Sequence, residues 1–255
     1  IWVGDKPANE PGLDADIAAG GLLVGADTGC AVDTGIITDT LTAQLPDVTP
    51  ENPAYIFFTS GTTGIPKGVL GVHKGLSHFL DWQRDTFAIT AEDRVAQLTS
   101  LSFDAMLRDV FLPLTSGATL CLPESNDNFG ADDVIGWLKR ERISVLHAVP
   151  SLAQSWLANL KVFLPDLRLV FSMGEPLTDA LVRQWRVTSL DRAEVVNLYG
   201  PTETTLVKCF YRVPSDLRPG VQPAGVPLPQ TQALVLGDDN QLCGVNEPGE
   251  IVLRT

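Results

Sequence analysis

The stretch "YIFFTSGTTGIPKGVLGVHKG", Tyr55–Gly75, sets an apolar and aromatic run against a cluster of Thr, Ser and Gly that closes on Pro66-Lys67-Gly68. The β-branched and aromatic residues predict a strand. The hydroxyls and glycines after it predict a loop rich in N–H and O–H donors, a chemistry suited to a phosphate chain. A Walker-type loop needs its lysine directly after the last glycine, with a hydroxyl next to it. Here Gly61 and Gly64 are followed by Ile65 and Pro66 before Lys67, so that template fails, and the donors Thr59, Ser60, Thr62 and Thr63 precede the lysine. Composition alone leaves an ordinary Gly/Thr-rich turn between strand and helix equally open.

Downstream, short β-like runs alternate with helical ones: "RVAQLT" then "FDAMLRDVFLPL", "ATLCLP" then "ADDVIGWLKRER", "ISVLHAV" then "PSLAQSWLANL", "LRLVFS" then "TDALVRQW", and finally "AEVVNLYG". This alternation predicts an α/β fold of mostly parallel sheets flanked by helices. Pro150-Ser151 and Thr178-Asp179 read as helix starts. Past Pro214 the texture changes to closely spaced Pro and Gly around "QALVLGDDNQLCG" and "GEIVLRT", which predicts short antiparallel strands with a turn at "GDDN". Residues 1–49 hold short apolar pieces, "GGLLVG" and "TGIIT", and predict no fold by themselves.

The 255 residues carry 44% hydrophobic side chains and a formal charge of −13. That supports a soluble globular core and argues against partners that are nucleic acid or membrane, since both demand clustered Lys and Arg. The four cysteines, Cys30, Cys121, Cys209 and Cys243, have no metal-ligand spacing and predict reduced thiols in a cytoplasmic protein. No apolar run approaches a membrane span, and the start has neither a basic leader nor Met, which reads as an excerpt.

A second anchor is "NLYGPTETT", Asn197–Thr205. Its β-run ends in an aromatic, and a Gly-Pro turn then presents a hydroxyl and a carboxylate. Tyr199 can stack on a flat base, Thr202 can bond a phosphate, and Glu203 can hold Mg²⁺ against phosphate oxygens. A capped helix start is the plainer reading of the segment alone.

Taken together, T-S-G-T-T-G-x-P-K-G at Thr59–Gly68, Y-G-P-T-E at Tyr199–Glu203, "FSMGEPL" at Phe171–Leu177 and the closing "GEIVLRT" resemble the AMP-forming adenylating enzymes. "VTPENPAYIFFTSG" and "VHKGL" point to the adenylation domains of nonribosomal peptide synthetases. The resemblance runs from about Ala54 to the C-terminus. It implies a partial large subdomain, residues 1–255, with its core at 54–213 and the start of the β-rich part at 214–255. The ribose-binding Y-x-T-G-D segment, the hinge and the small C-terminal subdomain are not found, which implies a fragment inactive on its own.

The resemblance also implies roles. ATP would be held by Thr59, Ser60, Gly61, Thr62, Thr63, Gly64, Lys67, Gly174, Glu175, Pro176, Asn197, Tyr199, Gly200 and Thr202. Lys67, Thr202 and Glu203 would serve catalysis, with Mg²⁺ on Glu203. The amino acid pocket would be Asp104, Ala105, Arg108, His147, Phe171, Met173, Leu198, Leu206 and Val207, Asp104 taking the α-ammonium. The substrate carboxylate would attack the α-phosphorus of ATP, pyrophosphate would leave, and the aminoacyl-adenylate would pass to phosphopantetheine on a peptidyl carrier protein.

Asp104 and Arg108 stand four apart in a helical run, and an exposed ion pair is the default for such spacing. In a pocket, a buried guanidinium asks for an anion, and Asp104 with Arg108 and then His147 resembles the pockets of adenylation domains that select acidic amino acids, glutamate, methylaspartate or aminoadipate, which implies an acidic substrate. A hydrophobic one fits if Arg108 turns away to Asp109 or Asp104. Met173 replaces the small residue usual before Gly174-Glu175. Rival classes are an acyl-CoA ligase and a nucleotide-binding relic without activity.

Overall fold

The computed structural model describes residues 2–3, 23–24, 47–60, 65–123, 130–158 and 163–255. The chain forms two compact units, residues 1–49 and 50–255. In the first, β1 (Trp2–Val3) pairs in parallel with β2 (Leu23–Val24); the remainder of "GGLLVG" and all of "TGIIT" lie outside the described residues.

The second unit opens with β3 (Pro53–Thr59), which pairs antiparallel with β4 (Lys67–Val72) before α1 (His73–Thr86) begins. The expected turn between strand and helix is therefore corrected. The strands on either side of the loop pair as a β-hairpin, and Thr59 stands opposite Lys67. Val69, Leu70 and Val72 extend the chain after Pro66 and delay the helix by a strand length. Gly71 is required here, because Tyr55 lies opposite and a Cβ on Gly71 would come within 1.9 Å of its ring. The opposite face of the hairpin leaves Ile56, Phe58 and Leu70 exposed.

The alternation predicted from sequence then follows in order: β5 (Arg94–Ala96), α2 (Met106–Ser116), β6 (Thr119–Cys121), α3 (Ala131–Arg140), β7 (Val145–Ala148), α4 (Pro150–Leu157), β8 (Leu169–Met173), α5 (Asp179–Thr188) and β9 (Glu194–Tyr199). After a 3-10 turn at Thr202–Thr204 come β10 (Cys209–Arg212) and β11 (Val226–Pro227). These strands form one seven-stranded sheet in the order β11-β10-β9-β8-β7-β5-β6, parallel from β9 to β6 and antiparallel at β10 and β11. A separate antiparallel pair, β12 (Gln232–Leu236) with β13 (Glu250–Arg254), completes the C-terminal part. The Gly237 N–H donates to the Gln241 carbonyl, and Asn240 has φ 60°, so the "GDDN" turn forms.

Side chains alternate between the two faces of the sheet, and the core divides accordingly. Leu146, Val170 and Val195 pack with Trp137, Trp156 and Trp185 of α3, α4 and α5. Val145, Leu169, Phe171, Val196 and Leu198 pack with Phe79, Leu80, Trp82 and Leu112 of α1 and α2. Each such fully buried large side chain contributes about 1.5–3 kcal/mol of apolar transfer. The Thr178 hydroxyl accepts from the Leu181 N–H and caps α5 as expected. Pro150 begins α4, but no side chain of its own N-cap, Val149, closes that helix.

Candidate active site

In an open α/β sheet, ligands meet the carboxyl ends of the strands. Here those ends bring together His147 of β7, Phe171 and Met173 of β8, and Leu198 and Tyr199 of β9, with His147 beside Phe171 and Met173 beside Leu198 in register. Gly174, Glu175, Pro176, Tyr199 and Glu203 form an exposed rim, while Phe171, Leu206 and Val207 are fully buried behind it.

The hairpin reaches this rim through Tyr55, whose hydroxyl lies 3.1 Å from Thr205 Oγ1. Gly75, at the start of α1, abuts the same Thr205, and an added Cβ would stand 2.7 Å from its Oγ1. Thr205 and Leu206 both adopt positive φ, 66° and 59°, a conformation that costs a β-branched residue energy and is held here by these contacts.

Asp104, just before α2, completes the cluster. It is 8% exposed, and its Oδ2 has no hydrogen-bond partner among the described residues. Burial raises its pKa above the usual carboxylate range, against the opposing pull of the Thr202 hydroxyl, the Ala105 and Leu206 N–H groups and the Arg108 charge. Burial also raises the Tyr55 pKa, and the Asp104 charge adds to the rise. The hairpin, the Y-G-P-T-E turn and the start of α2 are thus brought to one place.

Arg108 is 2% exposed and does not pair with Asp104 in the expected i,i+4 manner; its Nε lies 3.4 Å from Oδ1 of the fully buried Asp109, and its Nη1 lies 2.9 Å from Met173 Sδ. The helix begins only after Asp104, which takes the pair off the regular helical face. His147 Nδ1 stands 3.2 Å from the same Asp109 oxygen, without the alignment of a full hydrogen bond. Its Nε2 is 2.8 Å from Gln83 Nε2, and the ring stacks on Phe171 with centroids 4.9 Å apart. Burial first, and then the Arg108 charge, lower the His147 pKa to about 4, so the ring is neutral. A neutral ring accepts from the Gln83 amide at Nε2 and turns its Nδ1–H toward Asp109.

Some predicted residues are engaged elsewhere. Glu175 accepts from the Ser151 N–H at 2.8 Å and the Ser151 hydroxyl at 2.9 Å, so its carboxylate caps α4 and leaves the turn's backbone free. Asn197 donates to the Pro223 carbonyl at 2.8 Å. Thr59, Ser60 and Lys67 flank the hairpin tip; Gly61, Thr62, Thr63 and Gly64 lie outside the described residues. Ala105 is the N-cap of α2, and Gly200 passes close under the Leu206 carbonyl. Sequence reasoning missed Tyr55, Gln83 and Lys208, the last of which is 3% exposed with its pKa lowered by burial. Among the described residues no group of three His, Cys, Asp or Glu could hold a metal, and no helix is long and apolar enough to cross a membrane.

These features define an adenylate-forming class, and the chain belongs to the AMP-binding enzyme family, whose profile matches residues 8–255. It is 31% identical to the L-2-aminoadipate reductase of Schizosaccharomyces pombe over 265 aligned positions, covering 97% of this chain and 18% of that protein. It is 35% identical over 206 positions to tyrocidine synthase 3 of Brevibacillus parabrevis, covering 78% of this chain and 3% of that protein. The crystal structure of the nonribosomal peptide synthetase FmoA3 in its AMPPNP-bound form superposes with TM-score 0.72 at 28% identity, over 91% of this chain and 24% of that one. The chain therefore spans less than a fifth of the length of these two curated relatives.

Proposed function

We propose that the chain carries the nucleotide and amino acid sites of an adenylating ligase that activates an amino acid as its aminoacyl-adenylate. The observation that carries this reading is the placement of Asp104. A buried carboxylate with one unpartnered oxygen stands against Thr202 of the Y-G-P-T-E turn, so a cation bound there lies beside the phosphate-binding residues.

In this reading, the substrate ammonium binds Asp104 and its carboxylate attacks the α-phosphorus of ATP. The P–O bond to pyrophosphate breaks, and its electron pair leaves with pyrophosphate. The nucleophile is already anionic, so no general base is needed, and positioning does most of the work. Thr59, Ser60 and Lys67 contact the outgoing phosphates, Tyr199 and the Gly174–Pro176 backbone the base, and Thr202 the α-phosphate. Glu203, exposed on its turn, would hold Mg²⁺, which when bound neutralises phosphate charge. The thiol of a carrier protein's phosphopantetheine then takes the aminoacyl group as a thioester while the acyl–phosphate bond breaks and AMP leaves, and the cytoplasm is the compartment for this chemistry.

The substrate class we favour is an amino acid with a second carboxylate. Arg108 turns to Asp109, the arrangement that also fits a hydrophobic side chain. No oxygen among the described residues is aligned with its Nη1 or Nη2, however, so Asp104 and Arg108 still offer an anion and a cation for the ends of a zwitterion, and a relative named for 2-aminoadipate supports it. Activation at the side-chain carboxyl leaves both zwitterion ends bound. ATP–pyrophosphate exchange by a full-length protein carrying this chain tests the reading. Exchange with acidic amino acids is expected. Exchange with fatty or aryl acids alone would make it an acyl-CoA ligase, and no ATP use with any acid would make it a relic.

A further inference from the structure

Consecutive side chains on a helix diverge by about 100° and do not face each other by default. Arg108 nevertheless bends to Asp109, with Nε 3.4 Å from Oδ1. Asp109 is anchored independently of that contact. The Thr99 N–H donates to its Oδ2 at 3.3 Å, and His147 Nδ1 stands 3.2 Å from Oδ1. His147 is fixed in turn by the Phe171 ring and the Gln83 amide. Asp109 is thus a fixed post, set by α1, β7 and the segment after β5.

The outer edge of the guanidinium is differently placed. Nη1 faces the Met173 thioether at 2.9 Å, and among the described residues no oxygen is aligned with Nη1 or Nη2. A thioether is a weak acceptor without charge, so these N–H groups keep their capacity for an anion. One edge of the fork is tied to Asp109 while the other meets only the neutral Met173 thioether, which pre-organises it for a carboxylate that displaces that contact.

We infer that Asp109 is a positioning residue for substrate selection: anchored by Thr99 and His147, it aims the free edge of Arg108 at the carboxylate that is not activated. The inference rests on the amino acid pocket proposed above. It makes a side chain that never touches the substrate decide between an acid and its amide.

The test is exchange kinetics in a full-length protein carrying this chain, with 2-aminoadipate and its two monoamides as substrates. The monoamide lacking the activated carboxyl is inert, and the other reports on Arg108. Asp109→Asn is expected to cut the kcat/KM preference for the acid over the reactive monoamide by about 10- to 100-fold, with KM for ATP unchanged. An intact preference overturns the inference. Arg108→Met alone, compared with Arg108→Met/Asp109→Asn, gives a second test that does not need the single Asp109 variant to fold. The double variant removes both members of the Arg108–Asp109 pair, so neither is left without the other. Equal kinetics in those two support action through Arg108, and a further loss in the double variant overturns it. Wild-type exchange with neutral amino acids alone overturns both the inference and the acidic substrate class. Wild-type exchange with no amino acid overturns the adenylation reading itself.

Discussion

At the amino ends of β5, β7 and β8, Asp93 accepts from the Thr90 N–H, the Ser144 hydroxyl and both Nε and Nη2 of Arg168, and Arg168 also donates to the carbonyls of Phe87 and Ala88. At the carboxyl ends, Asp104 Oδ2 and Gln83 Oε1 have no partner among the described residues, and His147 Nδ1 has none that is aligned. Burial alone would raise the Asp93 pKa, yet Arg168, the Thr90 N–H and the Ser144 hydroxyl more than offset it and leave it lowered. Asp104, with weaker compensation, ends up raised. A satisfied ion cluster fastens strands together; an unsatisfied one stores capacity for a ligand at a cost in stability. A cleft lined by Asp93, Arg94, Arg142, Ser144 and Arg168 lies at the satisfied end, and with these charges already paired it serves the scaffold.

The sharpest way to break this contrast is Asp104→Asn. Exchange activity is expected to fall on the order of 100-fold or more, because a buried charge partner for the ammonium is lost. The melting temperature should hold or rise, because an unpaired buried carboxylate is removed. A clear fall in melting temperature would place Asp104 with the scaffold. Asp93→Ala should do the reverse: about 3 kcal/mol of stability lost in urea unfolding, with the acid-over-amide preference unchanged.

Acid should discriminate between the ends as well. His147 has a folded pKa of about 4, below its unfolded value, so the unfolded chain takes up the proton first as pH falls. Stability is therefore lost between about pH 6.5 and 4, on the order of 3 kcal/mol. Asp93 and Asp109, whose pKa values are lowered, lose their contribution only below the ordinary carboxylate range. Asp104 runs the other way: its raised pKa gives stability at low pH that is lost as pH rises through it. His147→Gln should flatten the pH 6.5 to 4 limb in thermal melts, and a slope unchanged by that substitution would remove the histidine from the account. The smallest effect is expected from Tyr55→Phe, which deletes the bond to Thr205 and costs about 1 kcal/mol; it should show in unfolding and as a few-fold rise in KM for ATP.

Much of this was legible in the residues. The β and α runs announced themselves because short, nearly continuous apolar runs, as strands buried on both faces require, alternate with longer stretches of period 3.6. The hairpin was not, because Lys67-Gly68, directly after Pro66, opens β4 with residues of low strand propensity. Among site residues, Asp104 and Thr202 were named from their motifs, while their meeting depends on the path of the whole sheet. Asp109 was harder still. A charged pair Arg108-Asp109 reads as a solvated face, and the hint against that was its setting in "MLRDVFLPL", where nearly every neighbour is apolar and the pair is carried inside.

The bare face of the β3–β4 ribbon has a colloidal consequence. Ile56 is 59% exposed, Phe58 69% and Leu70 58%, on two strands outside the main sheet, so an adhesive strip lies open to solvent. Contact between such strips on separate molecules is opposed by repulsion between chains of formal charge −13. Salt at about 0.1 M shortens the reach of that repulsion to about 10 Å. In dilute buffer the molecules are held at arm's length, and in ordinary saline the ribbon decides whether they clump.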